Sequence, residues 1–336
     1  MPSFLSRGHF EAMHADVGGV VVSGWILNPE VPSTAVRLLR NDALEAEHAP
    51  EPRDDVGRAL AWIPHARAAG FRFTIEPRGP GDRLTVVACA DGREIGRLRT
   101  MLRADLDALP TPPPTLMLRV AGSPEPGFFT ADGLRSYTEF VDALARHREP
   151  GSLERVLDWG CGCGRVSVHA LGLRLAPHVF GCDIDGEAIA WCQRALPGGE
   201  FRRIDPDPPT PYADGQFDLV LGYSVFAHLD RRRQQAWLAE LRRIVAPGGL
   251  LLASVHGRFA ARFAFRGASP RGLDTGFLDA GEDKALDGIA PPGYYRAVFQ
   301  TREHTERVWG SAFRVLEYLE GGMQNYQDLV VARRDA

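Results

Sequence analysis

Val156-Leu157-Asp158-Trp159-Gly160-Cys161-Gly162-Cys163-Gly164-Arg165 is the stretch on which the fold is decided. An apolar run ends in a carboxylate, and glycines then occupy three alternate positions. Glycine reaches backbone conformations closed to other residues and lets a ligand come close to the main chain, so this pattern reads as a strand, a tight turn and the start of a helix. Downstream, Val179 to Cys182 forms a second apolar run that ends at Asp183. A carboxylate at such a strand tip can accept hydrogen bonds from both hydroxyls of a ribose. Two further runs follow, Phe217-Asp218-Leu219-Val220-Leu221 and Leu241-Arg242-Arg243-Ile244-Val245-Ala246-Pro247-Gly248-Gly249-Leu250.

Working outward, the grammar from about residue 115 onward alternates helices with buried strands, which implies a parallel sheet covered on both faces. Strands are predicted at Arg155 to Trp159, Val179 to Cys182, Glu200 to Arg203, Phe217 to Tyr223 and Leu250 to His256. Helices are predicted at Leu134 to Arg148, Arg165 to Leu173, Glu187 to Leu196 and Arg231 to Val245. In the last of these, Trp237, Leu241 and Ile244 fall on one face. Residues 257 to 293, rich in glycine, proline and charge, are expected to form an irregular insertion over the mouth of the site. Phe313 to Leu319 and Asp328 to Ala332 suit a closing hairpin.

The first hundred residues read differently. Short β-branched or alternating runs cover Val20 to Ile26, Val36 to Arg40, Phe71 to Glu76, Leu84 to Ala90 and Glu94 to Arg99, and Asp91-Gly92 is a hairpin signal. These predict a compact all-β sandwich over residues 1–105. Four prolines between Ala108 and Thr115 stiffen the backbone and withhold amide donors, which places a linker at 106–114. The remainder, 115–336, is then one α/β domain.

Composition narrows the function. Lysine and arginine number 39 against 43 acidic residues in 336, a formal charge of −4. No broad positive field exists to draw in nucleic acid or anionic lipid. No apolar run approaches the roughly 20 residues that cross a bilayer, and the first residues lack a signal-peptide core, so a cytoplasmic protein is expected. The odd count of five cysteines suggests reduced thiols. Cys161 and Cys163 lie within the glycine turn with no partner pair downstream, and no metal is expected there.

Taken together, the glycine turn with Asp158 before it, Asp183, the Phe217 run and the Ala246-Pro247-Gly248-Gly249 turn resemble the class I, Rossmann-like, S-adenosylmethionine-dependent methyltransferases. The resemblance covers about residues 115 to 336. It implies a seven-stranded sheet with the last strand antiparallel, and S-adenosyl-L-methionine as cofactor. It also implies that Gly160, Gly162 and Gly164 face the methionine and ribose part, that Asp158 helps hold the methionine ammonium, and that Asp183 holds the ribose. Tyr223, at the end of the fourth predicted strand, belongs to the same cofactor set. For the adenine, Asp205 is the best match and Asp207 its competitor. Trp159 reads as a core residue.

An S-adenosylmethionine methyl is already electrophilic, so a base matters only when the acceptor is a hydroxyl. His228 after the fourth predicted strand and His256 at the end of the fifth are the catalytic candidates, since ligands gather at the carboxyl ends of strands in open sheets. His304 is a third histidine nearby. Pro292-Gly293-Tyr294-Tyr295-Arg296 and Tyr326-Gln327-Asp328-Leu329 resemble acceptor-lining segments of a methyltransferase subgroup, and Asp328 suits a turn cap equally well. The front domain, through Val22-Ser23-Gly24-Trp25 and Gly70-Phe71-Arg72-Phe73-Thr74, resembles a β-sandwich module joined to bacterial glycosyltransferases. A glycan or small hydroxylated metabolite is therefore the expected acceptor, with Trp25 either stacking on sugar or buried. Two other readings remain: a catalytically silent cofactor-binding adapter in polysaccharide assembly, and a nicotinamide oxidoreductase.

Overall fold

A computed structural model describes residues 6–76, 81–103, 105–268 and 270–335. The chain divides into two units, Met1–Glu139 and Phe140–Ala336.

The first unit holds two four-stranded antiparallel sheets. In one the order is Arg7–Asp16, Gly19–Leu27, Ala68–Ile75 and Glu51–Pro52; in the other it is Ala43–His48, Ala35–Arg40, Arg83–Ala90 and Arg93–Met101. Alternation explains the packing, because every second residue of Ala35–Arg40 is buried. Phe10, Val22 and Phe73 from the first sheet share one apolar cluster with Val36, Val86 and Leu98 from the second. The Asp91-Gly92 turn has both φ angles positive, +48° and +77°, as a tight hairpin requires. Helix Pro126–Ala145 begins eight residues earlier than the pattern predicts, because a proline is tolerated in a first helical turn. Its Ala131 and Leu134 join the same cluster.

The second unit is built on a seven-stranded sheet. Across it the strands begin at Gly199, His178, Arg155, Phe217, Val245, Gln327 and Arg314. The first five run parallel, and Gln327–Arg333 is antiparallel to both of its neighbours. The strand through Leu250 starts earlier than the sequence indicates, at Val245. Its pairing with Phe217–Gly222 slips between Phe217 and Leu219, and Gly248 sits at φ +77°, so Ala246 to Gly249 bulge out without ending the strand. Trp159, Trp237, Leu241 and Ile244 are buried in one large cluster, with the Trp159 ring 5.0 Å from both Trp237 and Phe226.

The insertion after residue 256 is more regular than expected. It contains helix Arg258–Ala264 and a two-stranded antiparallel ribbon, Phe277–Glu282 with Arg296–Gln300. Long-range apolar contacts hold it: Ala260, Ala261, Leu273 and Phe299 form a small core of their own. Among the described residues, no helix is long and apolar enough to cross a membrane.

Candidate active site

The central strand Arg155–Trp159 delivers the glycine turn to the carboxyl edge of the sheet. Gly160, Gly162 and Gly164 all have positive φ, at +73°, +52° and +80°. Space is as restrictive as conformation, since a Cβ on Gly164 would lie 2.7 Å from Leu196 Cδ1. The turn is stitched to the neighbouring strand: the Gly160 amide donates to Cys182 O at 2.8 Å, and the Gly162 amide to Asp183 Oδ2 at 2.8 Å. Asp183 Oδ1 accepts from the Asp185 amide at 2.8 Å. Each Asp183 oxygen thus holds one amide and keeps capacity for one more donor. Burial raises the pKa of this carboxyl, against the opposing pull of those amides.

Asp158 is almost fully buried. Ser167 Oγ donates to its Oδ2 at 2.6 Å. Desolvation nevertheless pushes its pKa up to about 6, with Ser167 and Arg165 only partly offsetting it. A buried carboxylate held this far from its ordinary range is stabilised by a cation placed beside it. The backbone cradle, the two carboxylates and this demand for positive charge fit S-adenosylmethionine, whose ammonium and sulfonium groups are cationic. The thiols of Cys161, Cys163 and Cys182 are buried and pushed up by desolvation. Among the described residues, no group of three or more His, Cys, Asp or Glu side chains is placed to hold a metal ion.

At the end of strand Gly199–Arg203, the residues Arg203, Ile204, Asp205 and Thr210 line a cavity of about 530 Å³. Asp205 is exposed there. Its competitor Asp207 is engaged elsewhere, with Arg233 Nε at 3.2 Å. Tyr294 Oη donates to Pro206 O at 2.7 Å, which anchors the aromatic pair of the insertion beside this loop. Tyr223 lies under Arg165, whose guanidinium carbon is 4.4 Å from the ring centroid.

His228, in the short helical turn Phe226–His228 beyond strand Phe217–Gly222, and His256, just past strand Val245–Val255, come together with ring centroids 5.5 Å apart. His228 Nδ1 lies 2.9 Å from Arg296 O, and His256 Nδ1 lies 3.2 Å from Val298 O. A carbonyl only accepts, so both rings carry their proton on Nδ1 and turn a basic Nε2 the other way. One strand of the insertion therefore sets both tautomers. Tyr295 stacks on His228 at 4.0 Å, and Phe299 on His256 at 5.2 Å. Desolvation lowers the His228 pKa to about 4, so the ring is neutral near pH 7. His304 is buried apart from this pair, 5.3 Å from Phe277.

The sequence missed Ser224. Its φ is +61°, a left-handed conformation uncommon for a residue with a side chain. The Ser224 amide donates to Ser254 Oγ at 2.8 Å, Ser254 Oγ donates to Gln327 Oε1 at 2.7 Å, and Gln327 Nε2 donates to Ser224 Oγ at 2.8 Å. The only sequence signal was the Tyr326-Gln327-Asp328 segment. Within it Asp328 is a turn cap: it accepts from the Gly321 amide at 2.8 Å and from Tyr318 Oη at 2.6 Å.

Residues 156–249 match the family model for a methyltransferase domain. These residues carry a methyltransferase domain. Among solved structures, a methyltransferase from Methanosarcina mazei is 17% identical, with 57% of this chain and 97% of the other covered at a TM-score of 0.42. One from Mesorhizobium loti is 18% identical, covering 58% and 98% at 0.43. The methyltransferase in a Haloferax volcanii complex with an activator is 15% identical, covering 68% and 100% at 0.46. The seven strands of this sheet, with the chain's last strand Gln327–Arg333 antiparallel to its neighbours, agree with the expected architecture.

Proposed function

We propose that this methyltransferase acts on a hydroxyl group of a glycan or small hydroxylated metabolite. One observation carries the reading: two neighbouring histidines each hold Nδ1 against a backbone carbonyl, which favours the proton on Nδ1 and makes Nε2 the basic nitrogen of each ring. A neutral amine or a thioether can attack with its lone pair before any proton is lost, whereas a hydroxyl must lose a proton as it attacks.

When bound, the cofactor supplies an electrophilic methyl group. In this reading the turn at Gly160, Gly162 and Gly164 accepts the cofactor's methionine and ribose part against bare backbone. Asp158 balances the ammonium charge, Asp183 takes the ribose hydroxyls, Asp205 lies toward the adenine and Tyr223 closes the edge. His228 and His256 serve the acceptor, with Tyr295 and Tyr326 as aromatic walls beside them. Positioning supplies most of the rate, and base assistance adds roughly 10² to 10⁴-fold. A silent adapter has no supporting observation.

For the whole chain the proposal is an accessory β-sandwich over 1–105, a proline-rich linker at 106–114, a methyltransferase domain over 115–336, and a cytoplasmic setting in keeping with five free thiols. The two apolar-faced sheets support the sandwich. Trp25 is buried beside His9, ring centroids 5.4 Å apart, which supports packing rather than sugar stacking. The test is transfer of tritiated methyl from the cofactor to a panel of sugar nucleotides, oligosaccharides and catechols, with the methylated atom located by mass spectrometry. Transfer to oxygen supports the proposal; label found only on nitrogen or sulfur, or on nothing in the panel, overturns it.

A further inference from the structure

The Nε2 of His228 has a side-chain partner: Ser224 Oγ lies 3.3 Å from it. With the ring proton held on Nδ1 by Arg296 O, the hydroxyl is the donor in this contact. The same Ser224 oxygen accepts from Gln327 Nε2 on its other side. Every donor and acceptor in the chain Ser254, Gln327, Ser224, His228 has one consistent assignment. Ser224 is half-buried whereas His228 is buried, with Tyr295 over one face and the His256 ring at its edge. An acceptor hydroxyl that approaches this corner meets the serine before it meets the imidazole. The chain also holds Ser224 in a strained backbone conformation, and such strain persists where the surroundings enforce a position.

We infer that Ser224 is a further catalytic residue, relaying the acceptor's proton to His228, and that Gln327 and Ser254 are its positioning residues. The inference rests on the proposed hydroxyl acceptor. As the acceptor oxygen takes the methyl group it gives its proton to Ser224 Oγ, while the proton of Ser224 passes to His228 Nε2. The positive charge lost from the methyl donor reappears on the imidazolium. There Nδ1–H remains on Arg296 O, and the Asp283 carboxylate lies 4.0 Å from Nδ1. Serine begins and ends the step as a neutral hydroxyl.

Ser224→Gly is the decisive variant, because glycine relieves the positive φ and the protein should fold at least as well. In 15N spectra of the cofactor-free protein, wild-type His228 should report an Nδ1–H tautomer with a hydrogen-bonded Nε2, and Ser224→Gly should shift the Nε2 resonance toward that of a free acceptor. With the acceptor identified from the panel, kcat should fall on the order of 10²-fold, while cofactor affinity by calorimetry changes less than threefold. The dependence of rate on deuterium fraction in the solvent should pass from curved, for two protons in motion, to linear. An Nε2–H tautomer, an Nε2 resonance unmoved by the substitution, or a variant with wild-type kcat would overturn the relay. Absence of any methylated product sinks the proposed acceptor instead, and the 15N comparison still decides the Ser224 to His228 contact.

Discussion

Lowering the pH from 7 to 5 should weaken cofactor binding by about tenfold, and Asp158 is the reason. Its carboxyl is buried and its pKa is pushed up to about 6, with Ser167, Arg165 and Asp183 as the groups that face it. If the cationic cofactor binds the ionised form, the protonated fraction must first give up its proton. At pH 5, one unit below the pKa, roughly ten of eleven molecules are protonated, which costs about 1.4 kcal/mol of apparent affinity. The cofactor's own amino and carboxyl groups do not titrate in this window. Stability of the free protein runs the other way. A folded pKa above the ordinary 3.8 means the folded state holds the proton more tightly, so the contribution of Asp158 to stability is present at low pH and is lost as pH rises from about 4 through 6. Full loss amounts to about 3 kcal/mol. Isothermal titration with S-adenosylmethionine between pH 5 and 7, on the wild type and on Asp158→Asn, separates this group from Asp183. The wild type should show the slope and the variant should lack most of it. A flat wild-type profile, or an equal slope in the variant, refutes the assignment.

Three other substitutions follow from the geometry. Asp183→Asn must turn an amide NH₂ toward the amide of either Gly162 or Asp185, because each carboxylate oxygen now accepts one of them; cofactor affinity should drop at least tenfold and stability by roughly 1 to 3 kcal/mol, read by calorimetry and thermal melting. Gly257→Ala would drive its Cβ into the Asp328 carboxylate, 2.8 Å from even the farther oxygen, and disrupt the bonds to Tyr318 and Gly321. A loss of about 3 kcal/mol is expected in urea unfolding, most of it absent when the same change is made on Asp328→Ala, and additive losses in that cycle would contradict the clash. For His304, burial lowers the pKa to about 4, so its contribution is present above pH 6.5 and is lost as pH falls toward 4. His304→Phe should flatten the stability profile in that window by about 3 kcal/mol, and an unchanged profile would exclude the effect.

How much of this was legible in the sequence depends on the range of the interactions involved. The turn at Gly160 to Gly164 was readable because its requirements are local: a strand, positive φ, a close neighbour. The strand Arg155–Trp159 and the closing hairpin were readable for the same reason, through apolar runs between turn residues. Arg7–Asp16 was missed because its alternation is interrupted, with a register shift between Phe10 and Ala12. Ala43–His48 was missed because none of its residues is buried, so no apolar pattern marks it. The ordered insertion escaped notice because glycine, proline and charge dominate its composition, while its stability comes from Leu273 and Phe299 meeting Ala260 and Ala261.

The site divides along the same line. Asp158 and Asp183 close apolar runs at positions where carboxylates have an evident use, and His228 and His256 come after strands, on the edge of the sheet where ligands gather. Ser224 has no such mark, since its partner Gln327 lies 103 residues away and neither residue type signals chemistry alone. More elusive still are the carbonyls of Arg296 and Val298, which fix the tautomers of both histidines. Every residue carries a carbonyl, so side-chain identity cannot encode that role; only the register of Arg296–Gln300 against Phe277–Glu282 can. Shifting that ribbon by one residue would turn the alternate carbonyls away from both rings together. The basicity of the site is thus a property of strand pairing as much as of the histidines, and an insertion that looks like a cover over the site is part of its acid–base apparatus.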